Sequence, residues 1–363
     1  MKSLTKSKNM KISIIVCAYN GEKEILICLK ALLNQSNVRQ NEYEIFVIDD
    51  GSTDFTGKVV KEFISKQKTS KEVPPIQYIK IEHKGLSVGR NTGLFLAKAP
   101  LVAYIDQDAT PDKNWIHELL NAWEAHPNAD AIGGKIFPRN THSKVAVFLH
   151  DVLYGPMTEN NIIGTNMSYT KDRLLQVNGF GDPFVSRGDE TFVFSKMGDS
   201  FNPIIWSKAI VHHDWPTSFK KWIRERQANG RLARLTNRLY GRDPFCYSYF
   251  LISRSLLYLI GISMLCLFPH KAGWIFLSFL LLFIVQVLRK PTNALLKKKY
   301  SSLKSFFMAS KWLFLSELGI WNAFWGWFCA RNSTLDRESA MKGTISEQYI
   351  IERFNNIKGD EDE

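Results

Sequence analysis

The sequence predicts an α/β domain on a largely parallel sheet, followed by a membrane-associated helical region, and three observations carry that prediction. Apolar strand-like runs alternate with helical patterns through the first third of the chain. Polar clusters fall just after several of those runs. Beyond residue 245 the composition changes to long apolar stretches flanked by lysine and arginine.

The first run, Ile12–Ala18, is rich in Ile and Val and closes at an Asn20-Gly21 turn, the pattern of a buried strand. Lys2, Lys6, Lys8 and Lys11 ahead of it imitate a signal peptide. The run is too short for one, however, and it stops at Asn20-Gly21-Glu22 rather than at a small-residue cleavage site. A helix over residues 25–33, a strand over 44–48, a helix over 56–65 and a strand over 76–81 follow. The 85–97 segment and a strand over 101–105 continue the βαβ rhythm of a parallel sheet with helices on both faces. A chain of 363 residues accommodates one such domain and an appendage of roughly a hundred residues.

In open α/β sheets ligands bind outside the carboxyl ends of the strands, so the residues after each run matter most. They are Tyr19-Asn20-Gly21 after the first, Asp49-Asp50-Gly51-Ser52-Thr53-Asp54 after the second, and Asp106-Gln107-Asp108 after the fourth. Singly, each is as easily a turn or a helix cap. Their recurrence at successive strand ends suits a nucleotide. Asp106 and Asp108, two apart in an extended segment, point to one side. Such hard oxygen ligands suit Mg²⁺ or Mn²⁺ shared with substrate phosphates; the alternative is a solvated loop before Pro111.

These residues resemble the family 2 glycosyltransferases. The resemblance is carried by residues 12–20, Asp49 to Asp54, Gly85-Leu86-Ser87-Val88-Gly89-Arg90-Asn91-Thr92-Gly93 and Tyr104-Ile105-Asp106-Gln107-Asp108, and it covers roughly residues 10–230. It implies a GT-A fold, a Rossmann-like nucleotide-sugar-binding domain. Tyr19, Asp50 and Arg90 would lie around the base and diphosphate, Asp106 near the ribose and Asp108 at the metal, with Asp49 and Asn91 supporting the loops. Arg90 could instead pair with Asp49 or Asp54. Gly164-Thr165-Asn166-Met167-Ser168 and Val177-Asn178-Gly179-Phe180 are similar to the acceptor-side segment, which leads into the acidic pair Asp189-Glu190. The family's usual order is Glu-Asp, so by position Glu190 is the implied base and Asp189 the fallback. A helix N-terminal acid is the plainer reading of Glu190. His213, after another apolar strand, is a candidate second metal ligand or a packing histidine.

An acceptor hydroxyl becomes a nucleophile when a carboxylate takes its proton, and a nucleoside diphosphate leaves more easily when a metal neutralises it. One base and no second carboxylate as nucleophile imply a single displacement with inversion. The Gln-x-x-Arg-Trp motif of processive synthases is absent; Trp222-Ile223-Arg224-Glu225-Arg226-Gln227 has the residue types in the wrong order, which favours one sugar per encounter. The resemblance implies a UDP-sugar donor and a lipid-linked or envelope-glycan acceptor. A polyprenyl-phosphate acceptor is the alternative within the class, and a catalytically inactive membrane scaffold the alternative outside it. The Tyr-Asn-Gly-Glu turn after the first strand excludes a Gly-x-Gly-x-x-Gly dinucleotide fold.

The net charge of +12 is clustered: eight Lys or Arg against Glu225 alone over residues 220–242, and seven with no acid over 289–311. Both blocks flank apolar stretches, which points to membrane lipids rather than nucleic acid, the alternative being a solvated basic face. Residues 246–268 hold only Arg254 as a charge and 272–288 none, so two spans joined through Pro269-His270-Lys271 are expected. Residues 306–330, with Lys311, Glu317 and four tryptophans, suit an interfacial helix better than a third span. The expected organisation is a catalytic domain over 1–240, a membrane region over 241–335 and a polar tail over 336–363. The positive-inside rule makes this a multi-pass cell-membrane protein with its catalytic domain in the cytoplasm. Five cysteines without a CxxC pair argue against a disulfide framework and for a reducing compartment.

Overall fold

The computed structural model describes residues 10–67, 73–151, 161–181, 189–198 and 200–225. The expected spans at 246–268 and 272–288, the 306–330 segment and the polar tail lie outside the described residues. Among the described residues no helix is long and apolar enough to cross a membrane.

Strand β1 (Ile12–Ala18) lies between β2 (Tyr43–Asp49) and β4 (Leu101–Asp106), parallel to both, and β3 (Ile76–Lys80) extends β2 in parallel. The Ile and Val runs of β1 and β2 suit this place because a central parallel strand is covered on both faces. Alternation then divides β1. Ile12, Ile14, Val16 and Ala18 join one core cluster, and Ile15 joins the other.

The helices that follow β1 and β2 cover the first of these faces. Helix α1 (Ile25–Leu33) buries Ile25, Cys28, Leu29 and Leu32, one stripe at helical spacing, and α2 (Thr56–Gln67) buries Thr56, Val60 and Phe63. Helix α3 (Leu86–Leu96) takes the opposite face and is buried through Ser87, Val88, Gly89, Arg90, Asn91, Gly93 and Leu94. Small residues permit that approach: a Cβ at Gly93 would run into the Ile15 side chain.

The second half departs from a parallel sheet. After β4 come β5 (Ala109–Pro111), α4 (Trp115–Ala125) and β6 (Ala131–Pro138), then β7 (Asn166–Thr170), α6 (Lys171–Gln176), α7 (Asp189–Met197) and β8 (Pro203–His213). The sheet order is β3-β2-β1-β4-β7-β6-β8-β5. The returning chain inserts β7 antiparallel between β4 and β6, while β6 and β8 run parallel and β5 caps the edge antiparallel to β8. The sequence of β7, Asn-Met-Ser-Tyr-Thr, alternates polar and apolar residues and so lacks the apolar run that marks β1 and β2. Two of its polar side chains are satisfied inside the sheet. Asn166 accepts from Trp115 Nε1 at 2.9 Å and donates to Ala209 O at 2.9 Å, and Ser168 Oγ accepts from Trp123 Nε1 at 3.0 Å.

The described residues divide into two compact units, 10–141 with 161–215 and, separately, 142–151 with 216–225. The sheet and all the residues considered below as a site belong to the first. In the second, Ser143 caps α5 (Lys144–Leu149) by accepting from Ala146 N at 3.3 Å, and Phe148 meets Phe219 at 6.3 Å between ring centroids.

Candidate active site

The carboxyl ends of β1, β2 and β4 meet, as their parallel register requires, and their loops are tied together. Asn20, at φ 49, receives Thr53 N on its Oδ1 at 2.9 Å and donates its own N–H to Ser52 Oγ at 3.0 Å. Asp49 is buried and accepts from Ser52 N at 2.8 Å and from the Tyr78 hydroxyl at 2.5 Å. Asn91 exchanges two hydrogen bonds of 2.8 Å with the backbone of Phe180. Both residues hold loops in this structure.

Tyr19 stands at the end of β1 with 43% of its surface exposed. Gln107 clamps its backbone from both sides, accepting from Tyr19 N at 3.1 Å and donating to Tyr19 O at 3.0 Å. The ring of Tyr19 stacks on His83, with centroids 4.2 Å apart and planes 15° from parallel. His83 Nδ1 lies 2.8 Å from Asp50 Oδ2. Asp50 also accepts from Lys84 N at 2.8 Å and Gly85 N at 2.9 Å. Its carboxylate therefore fixes the loop before α3 while lying beside the exposed Tyr19–His83 stack. Gly51 is required beneath that loop, since it sits at φ +72 and a Cβ there would meet His83 N at 2.7 Å. Gln107 and His83 escaped the sequence reading. The signal for Gln107 was its alternation between two aspartates, which turns it away from them and toward the first strand.

Asp106 ends β4 and Asp108 follows two residues later, while the β5–β8 pairing sets Ala109 opposite His213. His213 thus reaches Asp108 from a strand about a hundred residues on, with Nε2 3.3 Å from Oδ1. His213 is the last residue of β8 rather than a residue following it. Ligand atoms of Asp106, Asp108 and His213 all lie within 4.8 Å of one another, the one such grouping among the described residues. Two carboxylates and an imidazole, all partly exposed, fit a hard or borderline divalent cation that keeps some waters. His213 Nδ1 is buried without a hydrogen-bond partner among the described residues, so Nε2 is the ring atom turned to the cluster. Burial opposes ionisation of Asp108, but the hydrogen bond and charge of His213 hold its carboxyl below the usual range. Burial likewise lowers the His213 pKa, and Asp108 more than offsets it.

Arg90, expected near the diphosphate, lies 3% exposed on the inner side of α3. It pairs with neither Asp49 nor Asp54. Its Nη1 donates to Asp189 Oδ2 at 2.6 Å, and its Nη2 lies 3.5 Å from Asp106 Oδ1 and 3.3 Å from Gly164 O. Burial works against the guanidinium's charge, and Asp189 and Asp106 more than offset it, raising its pKa further. Asp189 is wholly buried in the first turn of α7. Glu190, next to it and partly exposed, has its pKa raised by burial first and by the Asp189 charge second. Thr165, also missed, donates to Asp106 Oδ2 at 2.5 Å and fixes the oxygen that Arg90 leaves.

Three comparisons bear on this site. Residues 13–172 match the model of the family described as glycosyl transferase family 2. The glucosyl-dolichyl phosphate glucuronosyltransferase of Haloferax volcanii is 26% identical over 194 residues, 50% of this chain and 59% of that protein. Glycosyltransferase GlyA of Streptococcus pneumoniae is 31% identical over 195 residues, 52% of this chain and 27% of that one. The chain therefore spans less than two thirds of the length of either relative. Among solved structures, the mannosyltransferase PcManGT of Pyrobaculum calidifontis, in complex with GDP-Man and Mn²⁺, aligns at a TM-score of 0.52 and 17% identity over 90% of this chain and 89% of that one. A likeness at that identity speaks for the fold, a mixed α/β sheet of the GT-A type. The matched stretch runs from β1 through β7 with the three polar strand ends and Arg90 inside it, so it is over residues 13–172 that the chain is similar to glycosyl transferase family 2.

Proposed function

We propose that the chain transfers a sugar from a nucleoside-diphosphate sugar to an acceptor hydroxyl by a single, inverting displacement, one sugar per encounter. The observation that carries this reading is the Asp106, Asp108 and His213 cluster at the carboxyl edge of the sheet, beside the exposed Tyr19–His83 stack and the Asp189–Glu190 pair. Tyr19 offers a ring face to the base, and Asp50 sets the loop around it. Asp106, Asp108 and His213 would hold Mn²⁺ or Mg²⁺, which when bound neutralises charge on the departing diphosphate. Glu190 takes the proton of the acceptor hydroxyl as its oxygen bonds to the anomeric carbon and the bond from that carbon to the diphosphate oxygen breaks. The nucleoside diphosphate leaves with the electron pair.

The acceptor in this reading is a lipid-linked or envelope-glycan hydroxyl at the cytoplasmic face of the cell membrane. The paired apolar stretches at 246–268 and 272–288 support the location, and the name of the Haloferax volcanii relative supports the lipid-linked acceptor. A second reading, transfer to a polyprenyl phosphate, draws on the human dolichyl-phosphate beta-glucosyltransferase, 29% identical over 140 residues. The test is product analysis with the full-length chain, a panel of UDP- and GDP-sugars, and either a glycolipid or a prenyl phosphate as acceptor, with Mn²⁺, Mg²⁺ or EDTA. A sugar–sugar bond formed with metal and absent with EDTA supports the first reading, and a sugar phosphodiester the second. No transfer from any donor to either acceptor would leave the inactive scaffold.

A further inference from the structure

Arg90 stands between two carboxylates that the sequence assigns to different tasks. On one side is Asp189, 0% exposed, with Oδ2 on Nη1 at 2.6 Å. On the other is Asp106 Oδ1, 3.5 Å from Nη2, on a side chain 33% exposed. The guanidinium cannot drift between them. Its carbon lies 5.5 Å from the ring centroid of Phe180 and 6.0 Å from that of Tyr104, and Nη2 also faces Gly164 O at 3.3 Å. Cys17, on the same face of β1, brings no charge, since burial pushes its thiol up to about 12.

A fixed cation beside a ligand carboxylate competes with a metal for that carboxylate, and the competition is strong where water is scarce. An opposite charge on the far side of the guanidinium removes most of it. We infer that Asp189 is the counter-ion that neutralises Arg90 and so keeps the guanidinium from competing with a divalent cation for Asp106. Asp189 is thereby a structural counter-ion rather than a proton acceptor, and Glu190 is left as the base. Thr165, on the other oxygen of Asp106, orients that carboxylate. The inference rests on the reading of Asp106, Asp108 and His213 as the cation site.

The experiment is a Mn²⁺ titration of the full-length chain, without donor or acceptor, followed by the electron paramagnetic resonance of free Mn²⁺. Thermal melting of each variant is recorded beside it. Asp189→Asn leaves Asp106 as the carboxylate in ion-pair reach of Arg90, and the Mn²⁺ dissociation constant rises on the order of tenfold. Removing both charges, as in Arg90→Met with Asp189→Asn, brings the constant back to the wild-type value or below. A merely structural role predicts lower melting temperatures with no such recovery. Folded Asp189→Asn with a constant within twofold of wild type overturns the inference, and so does a double variant as weak as the single one. If Asp189→Asn does not fold, Arg90→Lys decides. One ammonium cannot face both carboxylates and follows the buried Asp189, so Mn²⁺ binds more tightly, and an unchanged constant overturns the inference. A wild-type chain that binds no Mn²⁺ overturns the cation site itself, and this inference with it.

Discussion

Asp106, Asp108 and His213 form an open cluster, with 33%, 41% and 20% of their side chains exposed, whereas Arg90 and Asp189 form a closed one, at 4% and 0%. Asp106 belongs to both. The open cluster leaves carboxylate oxygens for a ligand from solvent, while the closed one satisfies its charges internally. The neighbouring acids divide in the same way: Asp189 is sealed and paired with Arg90, whereas Glu190 is partly exposed. Such a division follows from burial: a buried carboxylate needs a partner charge, and a base needs access to the proton it accepts.

Breaking the open side has the largest expected effect on turnover. In Asp108→Ala and in Glu190→Gln the rate of sugar transfer falls by about 10²–10⁴-fold. Initial-rate assays distinguish the two, because only the first loses its dependence on added Mn²⁺. Breaking the closed side acts on stability instead. Arg90→Met strands a fully buried carboxylate and costs about 3–5 kcal/mol of folding free energy, read from denaturant midpoints.

The pH dependence separates Glu190 from its neighbour. With its pKa raised in the fold, Glu190 becomes a competent base only above the ordinary carboxylate range, so kcat/KM climbs with pH through that raised value. In the unfolded chain the same carboxyl titrates near about 4.3. Between the two pKa values the folded state keeps a proton that the unfolded state has released, so stability declines as pH rises across that window and levels off above it. In Glu190→Gln this contribution to the slope disappears and the one from His213, also raised in the fold, remains, which melting temperatures across the window will show. The smallest effect is at Thr165. Thr165→Val removes one hydrogen bond to Asp106, worth about 1 kcal/mol, and weakens Mn²⁺ binding several-fold with little change in melting.

The two clusters also differ in how readable they were. The open one was written locally: Asp106 and Asp108 are two residues apart at the end of an apolar strand, and the first four strands announced themselves by Ile and Val runs. The apolar run before His213 marks it as a candidate ligand, but its place beside Asp108 depends on the pairing of β5 with β8, which no local pattern carries. For the closed cluster the chain gave less. Asp189 is 99 residues from Arg90, and the strand that brings the two halves together, β7, hides among polar residues. Spacing suggested local partners for Arg90 in Asp49 or Asp54, but Asp49 turns to Ser52 and Tyr78, and Asp54 to Thr56. Gln107, His83 and Thr165 act through backbone clamps, stacking and orientation, which residue identity alone does not reveal.

The most direct test of the account measures donor binding and sugar transfer in the same samples of wild type, Asp108→Ala and Glu190→Gln, with Mn²⁺ and with EDTA. The expected result is metal-dependent donor binding in wild type and Glu190→Gln, no such binding in Asp108→Ala, and transfer in wild type alone. Transfer at the wild-type rate by both variants would contradict it.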